Sequence, residues 1–503
     1  MHYCFESSPK FDFVLLIKLS AMSIIIKLFR SVLYLLVFFG CSRKDNKQPN
    51  IILILADDLG YNDITSNRNF DPDIFPGRLP TSKTPNIDQI AQQGVRFTDF
   101  YAGASVCSPS RASIITGRNA TRIGIYNWIP ENSPMHLRSD EITMAELLRE
   151  NNYQTAHFGK WHLTSFGEGQ PLPNDQGYDY TFFSYNNASP SYKDPVSFFR
   201  NGVSVGRLEG YSCDLVIEEA IQWLDKKNGS NPFYINIWFN EPHISGIRHN
   251  PPYSAPLDLI EKHDQNGVYY AAIENMDSAV GRLLDYLRLN DLEDNTIVIF
   301  SSDNGSQWDH SNDPLRGAKH FNYEGGVRVP FIIKWPKSIP QGKVSSITGS
   351  FTDILPTIAS ITGMQLPSDR IIDGIDISPV FYNPELIIER GKPIFFYRYF
   401  HEPILMLRIN DWCLLGYEEL IKSAESKTYQ ELAKIGPWRF EKNHMEYLKS
   451  LTPKCFELYN LNNDKEQVYD LSKKHPEIVN EMKEIMLELK REMIEEGGDW
   501  YNQ

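Results

Sequence analysis

Residues 50–58 read "NIILILADD", a short apolar run that stops on two carboxylates, Asp57 and Asp58. A run this short, continuously apolar and bounded by polar residues reads as a strand buried on both faces of a parallel sheet. Two later stretches repeat the arrangement. Residues 232–239, "PFYINIWF", run into "NEPH", and residues 295–302, "NTIVIFSS", run into "DNG". Between the runs lie helical patterns: "SKTPNIDQIAQQGVRF", "ITMAELLRENN" and "YAAIENMDSAVGRLLDYLRLN". Strands alternating with helices imply an α/β fold. In open sheets of that kind ligands bind beyond the carboxyl ends of the strands, where all three polar clusters fall.

Taken singly, "DDLG" is also a turn and helix cap, and "SDNGS" a hairpin turn. Together they place Asp57, Asp58, Asp303 and Asn304 after two core strands. Three converging carboxylates are costly unless a cation neutralises them, and oxygen-only donors favour calcium or magnesium over zinc.

A second set of residues is cationic. In "SVCSPSRASIITG", residues 105–117, Ser108 reads as an N-cap, Pro109 as the first helical residue, and 110–116 as helix. Cys107 then lies just outside the helix N-terminus with Arg111 facing it, an anion-receiving site that contains a modifiable sulfur. In "HFGKWHL", an extended segment would aim Lys160 and His162 to one face and Trp161 to the other. His243 follows the second strand, and Lys319 lies in "RGAKHFNYEGGVRVP", whose paired glycines suggest a close backbone approach.

The chain has 503 residues, 41% hydrophobic and 13% aromatic, enough for one large domain and a smaller one. Residues 1–48 carry net +4, so the rest holds -18 of the formal -14. That acidity argues against nucleic-acid binding and predicts that an anionic substrate is held by a few local cations. The six cysteines show no CxxC pairing, which speaks against a disulfide scaffold or a zinc finger. "MSIIIKLFRSVLYLLVFFGCS" has the basic and apolar regions of an export signal, with Lys18, Lys27 and Arg30 breaking any membrane-spanning run and Met22 as an alternative start. Gly40-Cys41 resembles the processing site of bacterial lipoproteins. This reading makes 1–41 a signal segment with a lipid anchor at Cys41, and 42–48 a tether.

These residues resemble the formylglycine-dependent type I sulfatases of the alkaline phosphatase superfamily. "SVCSPSRASIITG" matches that family's Cys-x-Pro-x-Arg signature, and "YQTAHFGKWHL" matches its second signature except for Asn152 before the tyrosine. "ADDLG", "CSPSR", "GKWH", "PH", "SDNG", "RGAK" and "EGGVRVP" follow in the family's order, and "FELYNLNNDKEQVYDLS" resembles its C-terminal subdomain. The resemblance implies that a maturation enzyme converts Cys107 to formylglycine, whose hydrated aldehyde is the nucleophile. It implies one calcium ion on Asp57, Asp58, Asp303 and Asn304, with residue 107 as a further ligand. Arg111 and Lys160 would hold the formylglycine and the sulfate, and His162 would help break the sulfated intermediate. His243 and Lys319 would contact the sulfate and the bridging oxygen, one of them protonating the leaving group. Ser245 departs from the proline usual after "PH".

The expected fold is an alkaline-phosphatase-like α/β/α sandwich around a large mixed sheet at 49–390, followed by a smaller C-terminal α+β subdomain at 391–503. The expected activity is hydrolysis of sulfate esters on sulfated poly- or oligosaccharides by an exported protein, an outer-membrane or surface lipoprotein or else a periplasmic or secreted one. Two other readings stay open: a phosphodiesterase or phosphonate hydrolase of the same superfamily, for which His310 is the one spare ligand near "DNG", and a sulfated-glycan-binding protein that keeps Cys107 unmodified. The segments "GIYNWIPENSPMHLRS", "SYNNASPSYKDP" and "ISGIRHNPPYS" read as substrate-facing loops.

Overall fold

The three apolar runs form the centre of one ten-stranded sheet in the computed structural model, which describes residues 48–67, 82–227, 229–243, 265–399, 402–418 and 440–501. Its strands are β1 (Asn50–Ala56), β2 (Val95–Tyr101), β3 (Gln154–Lys160), β4 (Tyr180–Ser184), β5 (Phe198–Arg200), β6 (Val203–Ser204), β7 (Phe233–Trp238), β8 (Thr296–Ser302), β9 (Phe331–Lys334) and β10 (Lys343–Ser350). They lie in the order β10-β2-β9-β8-β1-β7-β3-β4-β5-β6. β8, β1, β7, β3 and β4 form a parallel block, with Ile54 of β1 opposite Ile237 on one side and Phe300 on the other. β9 enters antiparallel between β8 and β2, and β5 and β6 add an antiparallel edge, so the sheet is mixed as expected.

Alternate residues of β1 feed two cores, as the pleat requires. Ile51, Leu53 and Leu55 pack with the helices Cys107–Thr116, Met144–Glu150 and Ile354–Thr362. Ile52, Ile54 and Ala56 pack with Pro85–Gln92, Ser212–Lys226 and Gln265–Leu289. Helices on both faces make the α/β/α sandwich, and they explain why β1 has no polar residue after Asn50.

A second, antiparallel sheet follows in chain order: β11 (Ile394–Tyr397), β12 (Leu405–Ile409), β13 (Trp412–Tyr417) and β14 (Cys455–Asn460). Phe395, Leu407, Leu414 and Leu458 on one face share the first core together with Met482, Met486 and Met493 of helix Pro476–Gly497. Phe396, Met406 and Leu415 on the other face meet Tyr101 and Val327. Buried charges bridge the two sheets: Arg328 binds Asp99 at 2.9 Å and Glu324 at 2.6 Å, and Arg408 of β12 reaches Asp99 at 3.5 Å.

The expected export segment, Met22 and Cys41 lie outside the described residues, as do Ser245 and the loop at 244–254. Among the described residues no helix is long and apolar enough to cross a membrane.

Candidate active site

The carboxylates gather where three parallel strands end side by side. The N–H of Asp57 donates to the Glu241 carbonyl at 2.9 Å, and that of Asp303 to the Ala56 carbonyl at 3.0 Å, so β1 and β8 and the segment that follows β7 are laced together at the strand ends. Asp58 turns the chain with a left-handed φ of 65°, a conformation that aspartate tolerates better than most residues. Its N–H donates to Asp303 Oδ1 at 3.1 Å. Asn304 Nδ2 donates to Asp58 Oδ1 at 2.7 Å, while Asn304 Oδ1 is buried and accepts nothing.

Cys107 stands differently from the sequence expectation. It is the first residue of helix Cys107–Thr116, and the extended Val106 precedes it as the cap. Ser108 is no cap: its Oγ accepts the N–H of Ile129 at 3.0 Å and ties in a distant loop. Pro109 is the third helical residue, still among the positions whose N–H would have no helical partner. Arg111 lies one turn beyond Cys107. It donates to Asp303 Oδ2 from Nε at 2.9 Å and Nη2 at 2.7 Å, and to the Lys160 carbonyl from Nη1 at 2.8 Å.

Two ammonium groups complete the arrangement. Lys160 Nζ, at the end of β3, donates to Asp57 Oδ2 at 2.7 Å and to Asn187 Oδ1 at 2.8 Å. Lys319 Nζ donates to Asp58 Oδ2 at 2.7 Å, and lies 3.4 Å from Cys107 Sγ and 3.2 Å from His243 Nε2. Cys107 Sγ is also 3.6 Å from Asp57 Oδ1. His162 is not aimed by strand alternation, because β3 ends at Lys160 and His162 has φ 58°. Its Nε2 lies 3.1 Å from the Ile129 carbonyl, leaving Nδ1 buried with no hydrogen-bond partner.

Burial pushes the Cys107 thiol up to about 12, so as a thiol it is a poor nucleophile at neutral pH. Burial lifts the Asp58 carboxyl, but Lys319 and then His243 outweigh it and hold the group below its ordinary value. Burial, and then Asp57, raise Asp303 against the pull of Arg111. Burial drives both His162 and His243 well below the usual imidazole value, with Lys160 and Arg111 reinforcing it at His162 and Asp58 opposing it at His243. Burial works against the Lys319 ammonium too, yet Asp58 holds it above its ordinary range.

Asp57, Asp58, Cys107 and His243 offer ligand atoms that all lie within 4.8 Å of one another. Asp303 and Asn304 join them through Asp58. Two residues at the site were not singled out from sequence. Asn187 fell inside a segment read only as substrate-facing. Glu241 was part of "NEPH", and its Oε1 accepts the N–H of Cys213 at 3.0 Å and the hydroxyl of Ser212, capping helix Ser212–Lys226.

Comparisons with known proteins agree with this geometry. The family pattern described as Sulfatase matches residues 49–364. N-acetylgalactosamine-6-sulfatase of Canis lupus familiaris is 32% identical over 380 residues, covering 70% of this chain and 68% of that protein. Arylsulfatase A of Bos taurus is 33% identical over 383 residues, covering 69% of this chain and 70% of that protein. The crystal structure of Ps i-CgsB in complex with k-i-k-neocarrahexaose matches with a TM-score of 0.71 at 27% identity, over 91% of this chain and 96% of that one. With its strand-end carboxylates, its Cys107 helix and these likenesses, the chain belongs to the sulfatase family of sulfuric ester hydrolases, whose chemistry calls for a cysteine- or serine-derived formylglycine and a divalent metal.

Proposed function

We propose that this chain hydrolyses sulfate esters on sulfated poly- or oligosaccharides, using a formylglycine made from Cys107 by a maturation enzyme together with one calcium ion. One observation carries the reading: Cys107 Sγ sits where the two charge sets meet, 3.6 Å from Asp57 and 3.4 Å from Lys319. An oxygen-bearing group at this position faces metal-binding carboxylates on one side and a sulfate-binding cation on the other. When present, the formylglycine supplies the oxygen nucleophile that a buried thiol does not.

The donor set suits a hard cation. Asp57, Asp58, Asp303 and residue 107 would hold calcium together with Asn304, whose buried Oδ1 has no other partner. A bound calcium would offset the clustered carboxylates and withdraw charge from a sulfate oxygen.

The chain's own residues do the rest. Arg111 fixes Asp303 with two N–H groups and braces the end of β3 through the Lys160 carbonyl. Lys160 and Lys319 compensate charge on the non-bridging sulfate oxygens, where preorganised donors act most strongly. His243 and Lys319, in contact with each other, hold the proton that the departing oxygen needs. His162, anchored on Ile129, presents its other ring nitrogen for the proton movements at residue 107.

The named activity of the N-acetylgalactosamine sulfatase and the oligosaccharide bound by Ps i-CgsB support a sulfated sugar as substrate. The Tyr-, Trp- and Asn-bearing loops at 124–139 and 184–195 suit such a ligand. The proposal extends to a catalytic part at 49–390, a C-terminal subdomain at 391–503 and a lipid-anchored, exported protein with Cys41 as its first mature residue. The decisive experiment is co-expression with a maturation enzyme, mass spectrometry of the Cys107 peptide and turnover of a panel of sulfated oligosaccharides. An aldehyde at 107 with sulfate release supports the reading, and an unmodified thiol in active protein overturns it. Mass analysis of the mature N-terminus from a native envelope fraction tests the anchor in the same way.

A further inference from the structure

The loops that leave β1 and β8 meet at a residue that belongs to neither strand. Tyr269 lies in helix Gln265–Leu289, is 1% exposed, and shares an apolar core with Leu59 and Ile64. Its hydroxyl meets four polar groups. The proton faces Asp63 Oδ2 at 2.6 Å and the Asp58 carbonyl at 3.1 Å. The oxygen lies 3.1 Å from Ser306 Oγ and accepts the Gly60 N–H at 3.4 Å. A phenol has one hydrogen to give and lone pairs to fill, so with its proton shared between two acceptors the hydroxyl is fully used.

These contacts fall on the two loops that carry opposite charges to Cys107. On the first, Asp58 has its left-handed φ of 65°, and Asp63 closes the turn: its Oδ2 accepts the Gly60 N–H at 2.8 Å and its N–H donates to the Gly60 carbonyl at 3.1 Å. The turn is tight, since a Cβ on Gly60 would fall 2.4 Å from the Ser311 carbonyl oxygen. On the second loop the Ser306 carbonyl accepts the Lys319 N–H at 2.9 Å. Asn312 brackets Ser306, accepting its N–H at 2.9 Å and donating to its carbonyl at 2.8 Å. Lys319 Nζ then returns to Asp58 Oδ2 at 2.7 Å. The path is a closed ring that runs from the Asp58 backbone through the Tyr269 hydroxyl, Ser306 and Lys319 back to the Asp58 carboxylate.

A buried network whose members are all satisfied rigidifies what it joins. Here it joins a carboxylate and an ammonium group that flank Cys107, with Lys319 Nζ 3.4 Å from its Sγ. We propose that Tyr269 is a positioning residue for sulfate ester hydrolysis, its hydroxyl fixing Asp58 on the metal side and, through Ser306, Lys319 on the sulfate side. This rests on the roles given to Asp58 and Lys319 above and adds the group that keeps their spacing. Tyr269 touches neither the sulfur atom nor the sulfate and acts only through these two residues.

The test uses Y269F, which removes the hydroxyl and keeps the buried ring, in the full-length protein. Calcium binding by calorimetry, on the Cys107 form and on the matured enzyme, should weaken roughly 10-fold. With calcium saturating, kcat on a sugar sulfate should still fall roughly 10-fold, with KM less affected, because the Lys319 side stays slack. S306A should lower kcat while calcium affinity is kept, and adding it to Y269F should cost little more, since both cut one link. Y286F makes the same change on the same helix, where the hydroxyl binds Asp225 at 2.7 Å, and should alter neither readout. Full recovery of kcat at saturating calcium would confine the hydroxyl to Asp58 and overturn the proposal. So would additive losses for Y269F and S306A, or a lower thermal midpoint with affinity and kcat intact, which would make Tyr269 a core residue alone. A matured wild type that neither binds calcium nor releases sulfate from any ester would instead strike the proposed function itself.

Discussion

Nζ of Lys319 stands 3.2 Å from Nε2 of His243. Both reach Asp58 Oδ2, at 2.7 Å and 3.4 Å. On the proposed function this pair of nitrogens would hold the proton for a departing oxygen, and the leaving group would then decide how much the pair matters. A sugar alkoxide is far more basic than a nitrophenolate and needs the proton in the transition state.

His243→Ala should accordingly lower kcat/KM by roughly 100-fold or more on a sugar sulfate and clearly less on an aryl sulfate. Lys319→Ala should lower both, because Lys319 also neutralises Asp58 and lies against Cys107. The ratio of the two losses is the measurement. Equal losses for His243→Ala would assign it to sulfate binding and leave Lys319 as the donor.

The metal should be calcium. Stripping the matured enzyme with a chelator should abolish activity and lower the thermal midpoint, and calcium should restore both. At about 100 times the dissociation constant, ligand linkage contributes about 2.7 kcal/mol. Asp58→Asn should weaken calcium binding in titration calorimetry. Stoichiometric zinc by elemental analysis would favour the phosphodiesterase or phosphonate hydrolase reading instead.

Gly159, in the middle of "HFGKWHL", has φ 101°, and a Cβ there would fall 1.9 Å from the Trp238 carbonyl oxygen. The close approach lets β3 and β7 meet just before Lys160. Gly159→Ala should destabilise the fold by on the order of 3 kcal/mol or more, read from urea unfolding. A change under about 1 kcal/mol would mean that the strands separate without cost.

The sequence made legible what strand hydrophobicity and local motifs encode. β1, β7 and β8 are largely apolar runs with helices on both sides, and each leads into the polar residues gathered at the site. The insertion of β9 antiparallel between β8 and β2 was not legible, because its partners are chosen by packing and not by its own four residues. The helix start was misplaced by two residues for a related reason. Ser108-Pro109 has the local look of a cap and first turn, but the Ser108 hydroxyl is taken by Ile129, 21 positions away. Asn187 carries no local signal, since its relation to Lys160 exists only after the sheet has formed.

Glu241 provides the last expectation, because one residue serves both halves of the site. Its carbonyl accepts the Asp57 N–H at 2.9 Å, and its side chain caps helix Ser212–Lys226 through Ser212 and the Cys213 N–H at 3.0 Å. His243 lies two residues on, and the Tyr192 hydroxyl donates to the carbonyls of both Asn240 and His243, so the whole "NEPH" turn is clamped. Glu241→Ala removes the cap and leaves two buried donors unmatched, which should cost about 1–3 kcal/mol. It should also slacken Asp57 and His243 together. We expect kcat on a sugar sulfate to fall roughly 10-fold or more and calcium affinity to weaken with it, as is usual for residues that support a site from behind. Glu241→Gln keeps the Oε1 acceptor and should retain most of both. If Glu241→Ala lowered the thermal midpoint while kcat and calcium binding stayed intact, Glu241 would be a helix cap alone, and Asp57 and His243 would be held by Tyr192 and the strand ends.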